Sequence, residues 1–363
     1  MRVAIVHDWL TNLGGGERVV EALHEMFPEA PIYTSVYDKD RLKLFTNADI
    51  RTSFLQKWPM AIKKHQLYPT LRTLAFESFD FSQYDLVISS SSAESKGIIT
   101  PTGTTHISYI HTPTRYYWSG YEDYLESPGL GIFSPLAKLI LPRLVKKMRR
   151  WDFAAAQRPD FLVANSNTVQ KRISQYYKRK SAVINPPVDI DRFASQQSKD
   201  GDYYLVVGRL IPYKRVDLAV KACTELGKKL VVVGVGPELK KLKAIAGDTV
   251  VFKGALSDKH ITKLYLGCKA FIFTAYEDFG ITPVEAMAAG KPVITYGFGG
   301  AAETVVDGET GIFFKEQTMQ SLMAAMISFE DKVFSQDKII KRAKLFSKET
   351  FKANIRNTIK EHI

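Results

Sequence analysis

Short runs rich in Val and Ile, apolar on both faces, alternate with helical patterns along almost the whole chain. The first series is 3–6, 32–35, 86–89, 105–110, 161–164 and 182–184. The second is 203–207, 230–233, 250–252, 270–273, 293–295 and 311–314. A strand apolar on both faces has to be covered on both, as parallel strands between helix layers are. Two successive series predict an α/β fold of two doubly wound domains, and 363 residues are comfortable for two.

The boundary is expected at Asn185-Pro186-Pro187-Val188-Asp189, where paired prolines stop regular structure, followed by a polar loop over 195–202. Periodicity alone does not assign the last helix, about 348–362, to either domain. Apolar content of 45% and charged content of 24% are those of a soluble globular chain. With no run of 18 apolar residues, no spanning helix is expected. The first residues are too soon polar for a signal peptide and read as a buried strand. Cys223 and Cys268 are far apart and match no metal or redox spacing, so they read as small core residues in a reducing cytoplasm.

In open α/β sheets, ligands bind beyond the carboxyl ends of strands. Two domains facing across a cleft would therefore present their chemistry on the segments that follow strands. Gly14-Gly15-Gly16 follows the first strand and opens a helical pattern over 17–27. Such glycines let backbone approach a ligand, and the helix start offers N–H groups to an anion. A tight turn is the structural alternative. The segment is not Gly-x-Gly-x-x-Gly, and no acidic residue stands nearby for a ribose, which disfavours a nicotinamide cofactor. Arg209 and Lys214 flank a Pro-containing turn at the start of a helix over 215–226. Cations oppose a helix N-terminus, so their presence there points to a diphosphate held between them, against the plainer reading of a solvated loop.

Glu277 lies just past the run 270–273, beside Gly280, where a carboxylate and backbone N–H groups would hold sugar hydroxyls. Glu285 has two readings. It can accept from a ribose diol, or it can close a capping box on Thr282, with Pro283 at the first helical position. His111 ends the run 105–110 and precedes Thr112-Pro113-Thr114-Arg115-Tyr116-Tyr117-Trp118. A sugar site wants such aromatic faces and a histidine that donates a hydrogen bond or moves a proton; a satisfied structural histidine is the alternative. Gly299-Gly300, followed by Glu303, offers further N–H groups to a phosphate.

The net charge is +12, which favours an anionic partner. The excess is local: twelve Lys and Arg face two Asp between Lys138 and Lys180. Leu139, Ile140, Leu144, Val145, Met148 and Trp151 interleave with these cations, as in an interfacial element on an anionic membrane. Nucleic acid is the competing anion, and a solvated basic helix face the bland alternative.

Taken in order, the glycine loop, His111, Pro186-Pro187-Val188-Asp189, Gly208-Arg209-Leu210 with Lys214, Glu277 and Glu285 with seven residues between them, and Gly299-Gly300 with Glu303 resemble the retaining GT4 glycosyltransferases of the GT-B fold. The resemblance covers nearly the whole chain. It implies two Rossmann-like domains, 1–187 for the acceptor and 188–345 for the nucleotide-sugar, with 346–363 crossing back to the first. It implies that Arg209 and Lys214 bind the donor diphosphate and stabilise the leaving group, that Glu285 holds the ribose, and that Glu277 orients the donor sugar with Phe279, Gly280 and Ile281. His111 would contact that sugar near the reaction centre. Gly15, Gly16, Gly299 and Gly300 would face the donor, Gly14 and Tyr116 the acceptor. Family members need no metal and no cofactor beyond the nucleotide-sugar. They retain configuration by same-face attack through an oxocarbenium-like ion pair, the leaving phosphate helping to deprotonate the acceptor.

Within the family, His7-Asp8-Trp9-Leu10 and His111-Thr112-Pro113-Thr114-Arg115-Tyr116 resemble mannosyltransferases of bacterial polysaccharide assembly. That implies GDP-mannose as donor and a lipid-linked saccharide acceptor. The chain would then be cytoplasmic and peripheral at the inner face of the plasma membrane, touching anionic lipid through 138–180, with no nucleic-acid partner. The alternatives are a UDP-sugar donor and, from another class, a non-catalytic basic-surface protein binding membrane or nucleic acid.

Overall fold

The computed structural model describes residues 1–126, 134–194, 198 and 201–363, with backbone alone at 123, 124, 126 and 134–140. Most of the polar loop expected over 195–202 lies outside the described residues. The chain divides into two compact units, Met1–Asn185 with Lys352–Ile363, and Pro186–Phe351.

The first unit holds β1 (Val3–His7), β2 (Ile32–Thr34), β3 (Ile50–Thr52), β4 (Leu86–Ser91), β5 (Thr105–Ile110), β6 (Phe161–Ala164) and β7 (Ala182–Val183). They form one sheet in the order β3-β2-β1-β4-β5-β6-β7, paired in parallel throughout. β1 and β4 are buried along their whole length, as apolar faces on both sides require. β3 is the strand that sequence did not anticipate. Its three residues include Arg51, it sits at the edge, and it is only half-buried, so it has no apolar run to read. Its hold on the core is polar: the Arg51 guanidinium donates to the Tyr33 and Tyr84 hydroxyls at 2.9 and 3.0 Å. The helix Lys348–His362 buries Ile355 and Ile359 one turn apart. Its Lys352 ion-pairs with Glu25 at 2.7 Å, and His362 stacks on Phe161.

The second unit holds β8 (Tyr203–Val207), β9 (Lys229–Val233), β10 (Val250–Gly254), β11 (Ala270–Phe273), β12 (Val293–Tyr296) and β13 (Gly311–Phe314), in the order β10-β9-β8-β11-β12-β13, again parallel. Cys223 and Cys268 are both buried and unbridged, packed as small core residues in its two apolar clusters.

Each sheet reverses its direction of growth once, at β1/β4 in the first unit and at β8/β11 in the second. Loops leaving the two strands at such a point diverge, which opens a crevice at the carboxyl ends of the strands. The sequence-derived candidates fall on the loops at these two crevices and on those of the neighbouring strands.

Candidate active site

In the first unit the crevice is built around His7, the last residue of β1. Its ring is buried, with Nδ1 3.0 Å from the Ser90 carbonyl and 3.2 Å from Ser90 Oγ. Its Nε2 lies 3.7 Å from Glu17 in the first turn of helix Gly15–Met26. Burial opposes protonation of His7, but Glu17, Asp8 and the Ser90 carbonyl outweigh it and raise its pKa. Ser90, on β4, reaches the other way: its Oγ is 2.8 Å from Nε2 of His111. Asp8 holds the loop after β4 by accepting from the backbone N–H groups of Ser92, Ala93 and Ser95 at 2.5, 3.0 and 2.8 Å.

The glycine loop fits over this group. Gly14 is the N-cap of the helix, and no side chain caps it. A Cβ on Gly16 would stand 3.2 Å from His7 Cε1 and 3.6 Å from His111 Nε2. A side chain there would crowd the His7 ring, while its distance to His111 is that of ordinary contact. Tyr116 is half-buried and edge-on to Tyr117 at 6.5 Å, and burial raises its phenol pKa.

A buried polar hub supports the segment after His111. Asp152 ion-pairs with Lys96 at 2.6 Å and accepts from Thr114, Trp118 Nε1 and the Tyr177 hydroxyl at 2.7, 2.7 and 2.8 Å. Beside it Arg72 pairs with Glu94 at 2.9 Å, both buried. Sequence patterning missed this hub, since Asp152 stands inside a run read for its cations.

That run is revised by the structure. It forms much of helix Ser134–Ala155; the side chains of Lys138, Leu139 and Ile140 lie outside the described residues. Val145 and Met148 are buried against Tyr117, so they cannot enter a membrane. Arg149 donates to the Tyr117 carbonyl and lies over the Tyr121 ring at 4.7 Å. Arg158 pairs with Glu77 at 2.7 Å. Arg143, Lys146, Lys147 and Arg150 remain exposed at the spacing that shares one helix face, with no ion pair among the described residues.

In the second unit Lys214 ends the short turn Pro212–Lys214 after β8, and Arg215, at φ 50°, swings the chain into helix Val216–Glu225. The Lys214 ammonium contacts the Glu277 carboxylate on the loop after β11, both half-buried. The Lys214 carbonyl accepts from Thr274 Oγ1 at 2.8 Å, tying the same two loops again. Arg209 is exposed and makes no side-chain ion pair among the described residues.

The capping-box reading of Glu285 is overturned. Gly280, at φ 92°, caps helix Ile281–Ala288, a left-handed conformation that glycine adopts readily. The helix therefore starts one residue before Thr282, which caps nothing. Glu285 instead pairs with Arg192 at 2.7 Å and accepts from the Tyr265 hydroxyl at 3.0 Å. Neither partner was legible in the sequence. Arg192 follows the Pro186-Pro187-Val188-Asp189 segment, and only the fold brings it to the carboxylate.

Gly299 and Gly300 press on the 277–280 loop. A Cβ on Gly300 would collide with Asp278 and Phe279 backbone at 2.3 Å, and the Gly300 N–H is given to the Glu277 carbonyl at 2.7 Å. That amide, expected to face a phosphate, instead fixes the backbone that carries Glu277. Phe279 is buried edge-on to Phe346 at 5.6 Å.

Two family models match in tandem: Glycosyltransferase Family 4 over residues 13–192 and Glycosyl transferases group 1 over 187–346. Among curated proteins, an uncharacterized glycosyltransferase of Methanocaldococcus jannaschii is 25% identical over 57% of this chain and 58% of its own length. A GDP-mannose-dependent alpha-(1-6)-phosphatidylinositol monomannoside mannosyltransferase of Mycolicibacterium smegmatis is 33% identical over 35% of this chain and 41% of its own. The chain thus spans about half the length of the curated relatives it matches. Among solved structures, the Anabaena protein HepE in complex with UDP and glucose superposes with a TM-score of 0.70 over 99% of both chains at 18% identity, a likeness of fold. With the two models together spanning residues 13–346 on two parallel, doubly wound sheets, this chain belongs to the GT4 glycosyltransferases of the GT-B fold.

Proposed function

We propose that the chain is a retaining, metal-independent hexosyltransferase. It would move mannose from GDP-mannose to a lipid-linked glycan in cell-surface polysaccharide synthesis. The observation that carries the reading is the meeting of Lys214 with Glu277 at the β8/β11 crevice. A cation suited to a diphosphate and a carboxylate suited to sugar hydroxyls stand side by side at that crevice. Lys214, with Arg209, neutralises charge as it grows on the leaving diphosphate. Glu277 and the backbone of Phe279, Gly280 and Ile281 orient the sugar. Glu285, fixed by Arg192 and Tyr265, accepts from the ribose. His111 contributes from the first unit, by the family reading, close to the transferred sugar.

The mannose assignment is supported by the mannosyltransferase relative and the two histidine-containing segments. Support for peripheral membrane contact comes from the exposed face of Arg143, Lys146, Lys147 and Arg150. No helix among the described residues is long and apolar enough to cross a membrane. A thermal-shift panel of GDP, UDP and ADP tests the donor. GDP is expected to give the largest stabilisation; a shift with UDP alone overturns the GDP-mannose reading in favour of a UDP-sugar. No shift with any nucleotide, joined to salt-sensitive duplex DNA binding, would favour the basic-surface alternative.

A further inference from the structure

Two elements of the first unit meet at Ser90, the end of β1 through His7 and the residue after β5 through His111, and the first turn of helix Gly15–Met26 joins through Glu17, which faces His7. Ser90 is fully buried, and Glu17 and His7 nearly so. Polar groups placed that deeply are held by definite partners, because an unmatched one is costly.

The proton positions follow from what each atom is able to do. A backbone carbonyl only accepts, so His7 Nδ1, 3.0 Å from the Ser90 carbonyl, carries a proton. The same N–H faces Ser90 Oγ at 3.2 Å, so the hydroxyl oxygen accepts there. The hydroxyl keeps one hydrogen to donate, and His111 Nε2 lies 2.8 Å away. With that hydrogen turned to His111, Nε2 is the acceptor, and in a neutral imidazole the proton then sits on the other nitrogen. Glu17, 3.7 Å from His7 Nε2, holds the far end of the chain. Gly16 leaves room for the His7 ring, which a Cβ there would crowd.

We propose that Glu17, His7 and Ser90 are positioning residues that hold the His111 ring in place as the tautomer protonated on Nδ1. His111 Nε2 is thereby engaged by Ser90 and does not serve as the base that deprotonates the acceptor. The proposal deepens the functional reading above and rests on its placing of His111 at the transferred sugar. It assigns to this chain a set of residues that sequence motifs do not mark: a serine at a strand end and a glutamate inside a helix.

Two measurements test it. The first is turnover of GDP-mannose, or of UDP-glucose if UDP gives the larger thermal shift, by His111→Ala, Ser90→Ala and Ser90→Thr, with the melting temperature of each. Ser90→Ala is expected to lower kcat about tenfold with KM for the donor nearly unchanged, and Ser90→Thr, which keeps the hydroxyl, to recover most of it. If His111→Ala abolishes turnover while Ser90→Ala matches the parent, the positioning chain is wrong and the functional reading stands. If His111→Ala keeps full turnover, the placing of His111 at the sugar is wrong, and the proposal falls with it. The second measurement needs no activity: two-bond 1H–15N correlation of ring nitrogens, with His111 identified by the peak lost in His111→Gln. The Nδ1–H pattern is expected in the parent protein; an Nε2–H pattern overturns the proposal even if Ser90→Ala proves too unstable to assay.

Discussion

Lys214 and Glu277 close an ion pair across the point where the second sheet reverses, joining the loop after β8 to the loop after β11. Both side chains are half-buried, so water screens the pair only partly. On the proposed function, a donor diphosphate would compete with Glu277 for the ammonium and so free the carboxylate for sugar hydroxyls. Lys214→Ala is expected to lower kcat by about 10²–10³. Glu277→Gln, which keeps a hydrogen-bonding group but no charge, should lose less. Steady-state kinetics with the best-binding nucleotide-sugar check this; a Lys214→Ala enzyme with parental kcat and a changed KM alone would contradict it.

Removing Asp152 leaves Lys96 charged and buried without its carboxylate, and strips Thr114, Trp118 and Tyr177 of their acceptor. Breaking one partner of a buried pair destabilises by about 3–5 kcal/mol. Urea unfolding of Asp152→Ala should show a loss of that order. The double change Asp152→Leu with Lys96→Met should recover part of it, because no buried charge is then stranded. A loss below about 1 kcal/mol, the scale of an exposed pair, would show that the hub is solvated.

His65 and His106 are both buried and held neutral, each pKa pushed down to about 3. Burial is the main cause in both; Arg72 adds to it for His65, Arg179 and Arg158 for His106. The unfolded chain binds a proton at each below about pH 6.5 and the folded chain does not. Stability therefore falls as pH drops from 6.5 towards 3, by about 2 kcal/mol per histidine at pH 5. His7 acts on the other side. Its raised pKa adds stability that is complete below pH 6.5 and lost as pH climbs through the raised value. Chemical denaturation at pH 5.0 and 6.5 should show a smaller drop for His106→Gln than for the parent; equal drops would refute the assignment.

Arg143, Lys146, Lys147 and Arg150 share the exposed face of helix Ser134–Ala155, while its apolar residues Val145 and Met148 are spent on the core. Membrane attraction would thus be electrostatic, at about 1 kcal/mol per cation. Flotation with vesicles containing phosphatidylserine should weaken in the fourfold Gln variant and in high salt. Arg149→Gln should differ, because that residue braces Tyr117 and Tyr121, and should mainly lower the melting temperature.

The central strands of both sheets were legible because parallel strands covered by helices bury both faces and leave an apolar run to read. β3 left none, since Arg51 holds it by polar contacts at an edge. β4 runs three residues past its apolar part, through Ser89, Ser90 and Ser91; serine carries no strand signal, and so the residue that links His7 to His111 stayed hidden. Spacing marked Glu277 and Glu285, but their partners Lys214 and Arg192 come from short helical turns elsewhere in the chain, and pairing between such distant segments has no sequence period. Thr282 was misread as a cap because the left-handed turn at Gly280 is a choice of backbone that composition does not record.

The last helix has a consequence for biosynthesis. Residues Lys352–Ile363 belong to the same compact unit as Met1–Asn185, with Ile355 and Ile359 buried and Lys352 paired to Glu25. All of Pro186–Phe351 is translated before them. On the ribosome, the half of the molecule made first is therefore the half finished last, and the later-made insert has its complete set of strands while the earlier one still waits for its closing turns.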